Sequence, residues 1–230
     1  MFTPTRRRGF EHLDNPDTTP ALRARSLRDV RRANTVLGGA NAVLSEVRRL
    51  LPSLGDCATL LDVGTGLGDI PFKSRRLAAR SNVRLFVIGL DEAASLAALS
   101  GEVLNASVCG DARRLPFATA SIDVVTCSQV LHHFEDHEIG LVLGELNRVA
   151  RRAVIVSDLR RSWFAVLGFW LVTWLLGFHS VSRHDGAVSV LRGFTSKDLG
   201  AHVLRSTGRM ANIRRHLGFR LTATWSPSHD

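Results

Sequence analysis

Five short apolar runs alternate with stretches of helical periodicity through the middle of the chain. The apolar runs lie at residues 58–63, 83–90, 104–109, 122–127 and 153–157, and the helical stretches at 70–80, 92–101 and 137–150. Several runs are unbroken, which is typical of parallel strands that are covered on both faces. This order predicts a doubly wound α/β fold with a mostly parallel sheet.

The chain before this alternation has a different pattern. Apolar residues recur at helical spacing over 27–51, and Gly38-Gly39 divides them into two short predicted helices, followed by a turn at 52–56. Residues 1–17 are polar and lack an apolar stretch behind their arginines, so they are not expected to be a signal peptide. Their proline and aspartate content predicts a loose arm.

The end of the chain completes the predicted sheet. Thr195 with Asp198 three residues later is typical of a helix start, and we expect this helix to end near Gly208. Residues 213–216 and 220–225 then predict an antiparallel pair of strands that closes the sheet.

A glycine-rich loop follows the first predicted strand. Asp62 precedes Gly64, Gly66 and Gly68, and glycines at alternate positions let the backbone turn sharply and approach a ligand closely. The next helix begins with free N–H groups that can receive a carboxylate. A dinucleotide fingerprint needs its third glycine at the position of Asp69, so the spacing argues against a nicotinamide dehydrogenase.

This loop resembles motif I of the class I S-adenosylmethionine (SAM) dependent methyltransferases, and the resemblance continues at the following strand ends. Gly89-Leu90-Asp91, Gly110-Asp111-Ala112 before Leu115-Pro116-Phe117, and Ser128-Gln129-Val130-Leu131-His132-His133-Phe134 match the later motifs in order and spacing. The last of these segments is similar to the small-molecule type that includes quinone-biosynthesis and polyketide-tailoring methyltransferases. The resemblance covers about residues 58–158.

The resemblance implies a Rossmann-like methyltransferase fold with seven strands and SAM as the cofactor. We expect residues 1–52 to form an N-terminal arm and helices, and residues 53–230 the methyltransferase domain, with an apolar insert at 160–194. The loop would pack against the methionine part of SAM, Asp91 would bind the ribose hydroxyls, and Asp111 and Ala112 would contact the adenine. The implied cofactor-binding residues are Asp62, Gly64, Thr65, Gly66, Gly68, Asp91, Asp111, Ala112 and Ser128.

Two histidines follow the fourth strand, where the resemblance places the transferred methyl group. A hydroxyl acceptor benefits from a base with a pKa near neutrality, which a histidine provides. The resemblance favours His133 as this base and makes His132 the second candidate catalytic residue. The alternative is that one histidine of the pair packs structurally or orients the substrate.

An uncharged aromatic stretch over 162–178 lies within the insert and approaches the ~20 residues of a membrane span. A span here would divide the sheet, so three interpretations stay open: a buried cap over the substrate, a dimer face, or a membrane-interfacial helix. A cap that contains Trp163 suits a lipophilic acceptor. The segment from His184 to Phe194 resembles the H-D-G-x-x-S-x-x-R-x-F element of related methyltransferases. His184, Ser189 and Arg192 could face the acceptor there, or form a self-bonded loop behind an Asp185-Gly186 turn.

The net charge of +9 at pH 7, carried almost entirely by arginine, favours contact with something anionic, and the alternative is a solvated basic surface in an arginine-rich proteome. Cys57, Cys109 and Cys127 lack metal-ligand spacing and are expected to be small buried hydrophobic residues, so no metal is predicted. We expect a cytoplasmic enzyme that methylates a small hydrophobic acceptor at a phenolic or quinol oxygen. Peripheral membrane contact and a homodimer remain open.

Two other functions compete with this expectation. The basic charge suggests an RNA methyltransferase, but no N-P-P-Y-like motif follows the fourth strand, so a nucleic-acid partner is not expected. A SAM-binding protein that has lost catalysis is the remaining alternative.

Overall fold

The computed structural model describes residues 3–6, 9, 19, 22, 25, 29, 32 and 38–228. The strands are β1 (Cys57–Val63), β2 (Arg84–Asp91), β3 (Ala106–Cys109), β4 (Ile122–Ser128), β5 (Ala150–Leu159), β6 (Asn212–His216) and β7 (Arg220–Trp225). The helices are α1 (Gly39–Leu54), α2 (Asp69–Ala79), α3 (Ala94–Gly101), α4 (Asp136–Val149), α5 (Trp163–Leu175), α6 (Ser180–Arg192) and α7 (Ser196–Thr207), with a 3₁₀ turn at Leu131–His133.

The strands form one seven-stranded sheet in the order β3-β2-β1-β4-β5-β7-β6. β1 to β5 run parallel, whereas β7 is antiparallel to both β5 and β6. The predicted doubly wound, mostly parallel sheet is therefore confirmed, together with the antiparallel pair that closes it.

Apolar side chains leave the central strands on both faces, as the unbroken runs predicted. Leu60 of β1 packs in the cluster that α1 and α2 cover, while its neighbour Leu61 packs in the cluster beneath α4 and α7. Such alternate burial gives a three-layer arrangement with a core on each side of the sheet.

The last predicted helix has the predicted ends. The Thr195 hydroxyl accepts a hydrogen bond from the Asp198 N–H, and the Asp198 carboxylate accepts one from the Thr195 N–H, which forms a capping box. Gly208 ends α7 in the left-handed conformation, with a φ of 66°.

The N-terminal predictions have mixed outcomes. α1 begins directly after Gly38 as expected, but it continues through Pro52 to Leu54, so the turn predicted at 52–56 starts too early. The predicted first helix lies mostly outside the described residues. The prediction of a loose arm is wrong for Arg6, because this residue packs against the domain. Its guanidinium lies 4.5 Å from the Phe194 ring centroid and donates to the Arg192 carbonyl.

Two further sequence predictions are wrong. Cys127 is buried in the core, but Cys57 and Cys109 are exposed because they lie at the ends of their strands, and Cys109 is on the edge strand β3. The Asp185-Gly186 turn does not form, because both residues lie inside α6.

In the part of the chain that the structure describes, no helix combines the length and apolarity needed to cross a membrane.

Candidate active site

The residues singled out by the sequence lie mainly at one edge of the sheet. The parallel strands β1 to β5 all end there, and the glycine loop, Asp91, Asp111, the two histidines and Asp158 lie at or just beyond these ends. Ligands of open α/β sheets bind at this carboxyl edge. β1 and β4, which are adjacent in the sheet, mark its topological switch point.

The glycine loop adopts the conformation that its alternate glycines allow. Gly64, Gly66 and Gly68 have φ values of 71°, 56° and 74°, all in the left-handed region. The loop is fixed to the end of β2, because the Gly64 N–H donates to the Leu90 carbonyl at 2.8 Å and the Gly66 N–H donates to Asp91 Oδ2 at 2.9 Å.

The space around the loop differs from one glycine to the next. A Cβ on Gly64 would lie 2.2 Å from Val130 Cγ2, so this position is closed by the segment after β4. Gly66 has no described atom within 4 Å of its Cβ position. The loop therefore presents an open backbone surface at Gly66, with α2 beginning three residues later.

Asp62 lies at the end of β1 and is almost fully buried. Burial raises its pKa to about 7, although the Thr126 hydroxyl, which donates to Asp62 Oδ1 at 2.6 Å, acts in the opposite direction. The Ser128 hydroxyl is also buried, and it has no hydrogen-bond partner among the described residues. An unfilled buried donor and an open glycine backbone both fit a polar ligand.

The two other predicted acids have protein partners. Asp91 uses its second oxygen to accept the Ala93 N–H at 3.0 Å, so its carboxylate is held rigidly beside the loop. Asp111 forms a bidentate hydrogen bond with the Arg113 side chain, at 3.0 Å to each oxygen, and this contact lowers the pKa of the carboxyl group. Ala112 packs its methyl group into the core.

The two histidines have different environments. His132 is buried, and its Nδ1 lies 2.7 Å from Asp158 Oδ1 while its backbone N–H donates to Asp158 Oδ2. His133 is exposed, with its ring centroid 4.1 Å from that of His132. The structure thus places one histidine in a buried contact with a carboxylate and leaves the other exposed.

Charges around this pair shift two pKa values. The adjacent His132, followed by neighbouring protein atoms that displace water from part of the ring, lowers the pKa of His133, whereas Asp158 acts to raise it. Although burial opposes it, the contact with His132 holds the pKa of Asp158 below its ordinary value. His133, with a pKa of about 3, is therefore neutral at neutral pH, but it is a weaker base than an ordinary histidine with a pKa near neutrality.

The predicted substrate residues lie on α5 and α6. Arg192 ends α6 and is close enough to His133 to help lower its pKa. His184 is half exposed on the same helix and lies 3.2 Å from Asp185 Oδ1. Trp163 opens α5 on its exposed side. α6 packs against the 3₁₀ turn that carries the histidines, whereas the structure gives no contact that brings Trp163 to them.

Sequence reasoning missed three residues of this site. Asp158 contacts the His132 ring, and the Thr126 hydroxyl donates to Asp62. Arg113 contacts Asp111 and also donates from Nη1 to Glu138 Oε1 at 2.7 Å. Asp158 had a detectable signal, because an acid at the end of an otherwise apolar strand is costly unless it is paired. The pairing of Arg113 depends on α4, which no local pattern reveals.

Comparison with known proteins agrees with this fold and with the position of the candidate site. Residues 61–156 match the methyltransferase domain family. The predicted resemblance to the class I SAM-dependent methyltransferases is confirmed, and the domain match supports SAM as the cofactor.

Two curated proteins share sequence with the chain. A demethylmenaquinone methyltransferase of Thermotoga maritima is 30% identical over 125 residues, which are 50% of this chain and 52% of that protein. The bifunctional biotin biosynthesis protein BioHC of Cellvibrio japonicus is 30% identical over 163 residues, 65% of this chain and 31% of that protein. The chain thus spans about half the length of the first relative and less of the second.

Solved structures share the fold at low identity. Magnesium protoporphyrin IX methyltransferase from Synechocystis, solved with bound SAM, has a TM-score of 0.55 and 13% identity, covering 94% of this chain and 88% of that one. A SAM-dependent methyltransferase of Thermotoga maritima, described as a possible histamine N-methyltransferase, has a TM-score of 0.60 and 13% identity, covering 89% and 97%. These likenesses show the Rossmann-like methyltransferase fold.

Proposed function

We propose that this chain transfers a methyl group from SAM to a small hydrophobic acceptor, at a phenolic or quinol oxygen. The observation that carries the proposal is the left-handed glycine loop tied to Asp91, at the same sheet edge as an exposed neutral histidine. When bound, SAM supplies an electrophilic methyl group on a sulfonium, and an enzyme for such a displacement mainly has to align the nucleophile and exclude water.

The cofactor would lie along the carboxyl ends of β1 to β4. The cofactor would be bound by the loop, by two carboxylates and by residues near the ends of β3 and β4. These residues are Asp62, Gly64, Thr65, Gly66 and Gly68 of the loop region, the carboxylates of Asp91 and Asp111, the backbone of Ala112, and Ser128. Asp91 suits the ribose, because both of its oxygens are oriented by backbone N–H groups and keep lone pairs for a diol. Ser128 suits a polar contact, because its buried hydroxyl otherwise has no described partner.

His133 would take the proton from the acceptor oxygen. Its exposed position beside the 3₁₀ turn leaves the ring accessible to an acceptor, and its lowered pKa keeps the ring neutral, although it also lowers the basicity of the ring. His132 would act as a positioning residue, because Asp158 contacts its ring Nδ1 with one oxygen and accepts its backbone N–H with the other.

The acceptor would enter beside α6, with Arg192 and His184 as polar contacts. α5 and α6 form a small apolar cluster of their own with Leu159, Val190 and Phe219, which suits a hydrophobic molecule. The Thermotoga relative is named for a demethylmenaquinone, which favours a quinol-type acceptor for this chain as well. Trp163 is the weakest member of the set, since it faces solvent.

The decisive experiment is incubation with labelled SAM and a panel of lipophilic phenols and quinols, with RNA in a parallel arm and product mass as the readout. We expect a mass increase of one methyl group on a phenol or quinol. Labelled RNA would overturn the acceptor class. SAM binding without transfer to any phenol, quinol or RNA would indicate a protein that binds SAM without catalysis.

The cofactor site has a separate test that needs no acceptor. Asp91→Asn should weaken SAM binding by about 10- to 100-fold in calorimetry, because it removes the charge from hydrogen bonds to the cofactor. Glu92→Gln is the matched control, since this exposed neighbour has no role in the loop. Equal affinity in both variants would remove Asp91 from the site.

A further inference from the structure

One face of α5 is covered with large apolar side chains that the fold leaves in solvent. The exposed members recur every three or four residues and are Trp163, Phe164, Leu167, Trp170, Leu171, Trp174 and Leu175, each at least 48% exposed. Only Ala165 and Thr173 of this helix are buried. A contiguous apolar face of this kind marks an interaction surface.

A small cavity, which three arginines line together with apolar surface that includes Phe219, opens at the start of the same helix. It has a volume of about 230 Å³ and is lined by Arg160, Arg161, Arg215, Ser162, Phe164 and residues of the α7 start. This volume is below the ~300 Å³ at which pockets for drug-sized ligands begin, so a small group fits better.

The cavity carries uncompensated positive charge. Arg161 is buried and paired with Asp198 at 2.8 Å, but Arg160 and Arg215 have no carboxylate partner among the described residues. The N-terminus of α5 adds partial positive charge, because Ser162 at this helix start lines the cavity and its first turn has no acid, whereas the α7 start holds the Asp198 carboxylate. Arginines beside helix starts form a site for a phosphate group.

We propose that the α5 face and this cavity together dock the protein on a bilayer that contains anionic phospholipid. α5 lies in the plane of the interface with its apolar face among the acyl chains, and the cavity receives the phosphate of one lipid headgroup. A helix of 13 residues is about 20 Å long, too short for the ~30 Å hydrocarbon core, so it lies along the surface.

Charge and composition favour a bilayer over a second copy of the chain. Residues 162–184 contain no Asp or Glu, and the net charge is +9, so the chain is attracted to an anionic bilayer, whereas this segment of a second copy would offer no carboxylate to pair with. Three of the four tryptophans lie on this face, while Trp225 is buried. The Arg183 guanidinium lies 5.7 Å from the Trp170 ring centroid. Tryptophan and arginine at the rim of an apolar face are typical of membrane interfaces.

Vesicle flotation tests the proposal, with phosphatidylcholine vesicles made with or without phosphatidylglycerol. The full chain should float with the anionic vesicles and much less with the neutral ones. Replacing Leu167, Leu171 and Leu175 with Ser should weaken binding at least about tenfold, because less apolar area enters the bilayer. Arg160→Gln with Arg215→Gln should weaken it roughly 10- to 30-fold for anionic vesicles alone.

Matched controls separate these effects from general changes of surface. Leu141→Ser removes an equally exposed leucine from α4, and Arg84→Gln removes an exposed arginine at the opposite edge of the sheet. Both controls should bind as the unchanged chain does. Vesicle binding does not depend on the proposed methyl transfer, so the two proposals fail separately.

Three results would overturn the docking proposal. Unchanged binding in the serine variant would exclude α5, and unchanged binding in the arginine variant would exclude the cavity as a headgroup site. A concentration-dependent dimer in analytical ultracentrifugation that the serine variant abolishes, without vesicle binding by the unchanged chain, would show that a second copy covers the face.

Discussion

At the residue scale, the chemistry of this site depends on two adjacent imidazoles that differ in their partners. Asp158 is buried, lies 2.7 Å from the His132 ring Nδ1 and accepts the His132 backbone N–H, whereas His133 is exposed. Since two imidazolium ions 4.1 Å apart would repel each other, the pKa of His133 is lowered. A base has to be neutral to work, and this arrangement keeps His133 neutral over a wide pH range.

This electrostatic coupling predicts a shift in the pH profile. Turnover should fall only as the pH drops through the lowered pKa of His133, below the range of an ordinary histidine. His132→Gln removes the charge that lowers this pKa, so the acidic limb should move to higher pH. The measurement is kcat against pH, with His137→Gln as an exposed control that leaves the profile unchanged. If the acidic limb of the His132→Gln profile moved to lower pH or stayed in place, the electrostatic coupling between His132 and His133 would be contradicted.

The candidate site residues were predictable from sequence only where an acidic residue recurs at the ends of successive predicted strands. Asp62 lies near the end of its apolar run, while Asp91 and Asp111 follow theirs, and a carboxylate in such a place is rare without a ligand or partner. Arg113 gives no such signal. It is one of many arginines in the chain, and its pairing with Asp111 and Glu138 depends on how α4 packs.

At the element scale, the loop between β1 and α2 combines two demands. Its three glycines need positive φ, and Gly64 also needs the absence of a Cβ because Val130 occupies that space. Gly66 has the same backbone conformation but faces open space. Gly64 is therefore required by packing against Val130, whereas Gly66 leaves space for a ligand.

Alanine substitutions at these glycines should have different effects. Gly64→Ala should cost about 2–4 kcal/mol of unfolding free energy, from strain and overlap with Val130. Gly66→Ala should cost only about 1 kcal/mol, yet weaken SAM binding at least tenfold if the open space receives the cofactor. Urea unfolding and calorimetry measure the two quantities. Equal destabilisation, or SAM affinity unchanged in Gly66→Ala, would contradict this division of roles.

α6 shows why a local motif can mislead. Asp185-Gly186 predicts a turn, but the chain stays helical because Gly186 lies against the Phe169 ring of α5. A Cβ there would lie 2.1 Å from Phe169 Cζ. Gly186 allows α5 and α6 to pack closely, and this contact is visible only in the tertiary structure.

A pair of helical glycines tests this contact. Gly186→Ala should lower the free energy of unfolding by about 1–3 kcal/mol, because the Phe169 ring has to move. Gly144→Ala in α4 is the matched control. Its Cβ would meet no described atom within 4 Å, so it should raise stability by about 0.5–1 kcal/mol. The same sign of change in both variants would contradict the packing role.

At the scale of the whole molecule, the sheet was the most predictable part of the structure. Five apolar runs with helices between them give a parallel sheet, because this connection has few alternatives. The position of the N-terminal arm was not predictable. Arg6 is one arginine among many in sequence, but in the structure it contacts the Arg192 carbonyl and Phe194 and pairs with Asp136.

Arg6 thereby links the start of the chain to the end of α6, where Arg192 lies near His133. Arg6→Ala should lower the free energy of unfolding by about 1–2 kcal/mol, from the lost cation–π contact and hydrogen bond. Because the end of α6 is then less fixed, the KM for the acceptor should rise several-fold while SAM affinity stays unchanged. Arg84→Ala, at the opposite edge of the sheet, should change neither quantity. If Arg6→Ala weakened SAM binding as much as acceptor binding, the arm would support the whole edge of the sheet rather than the acceptor side alone.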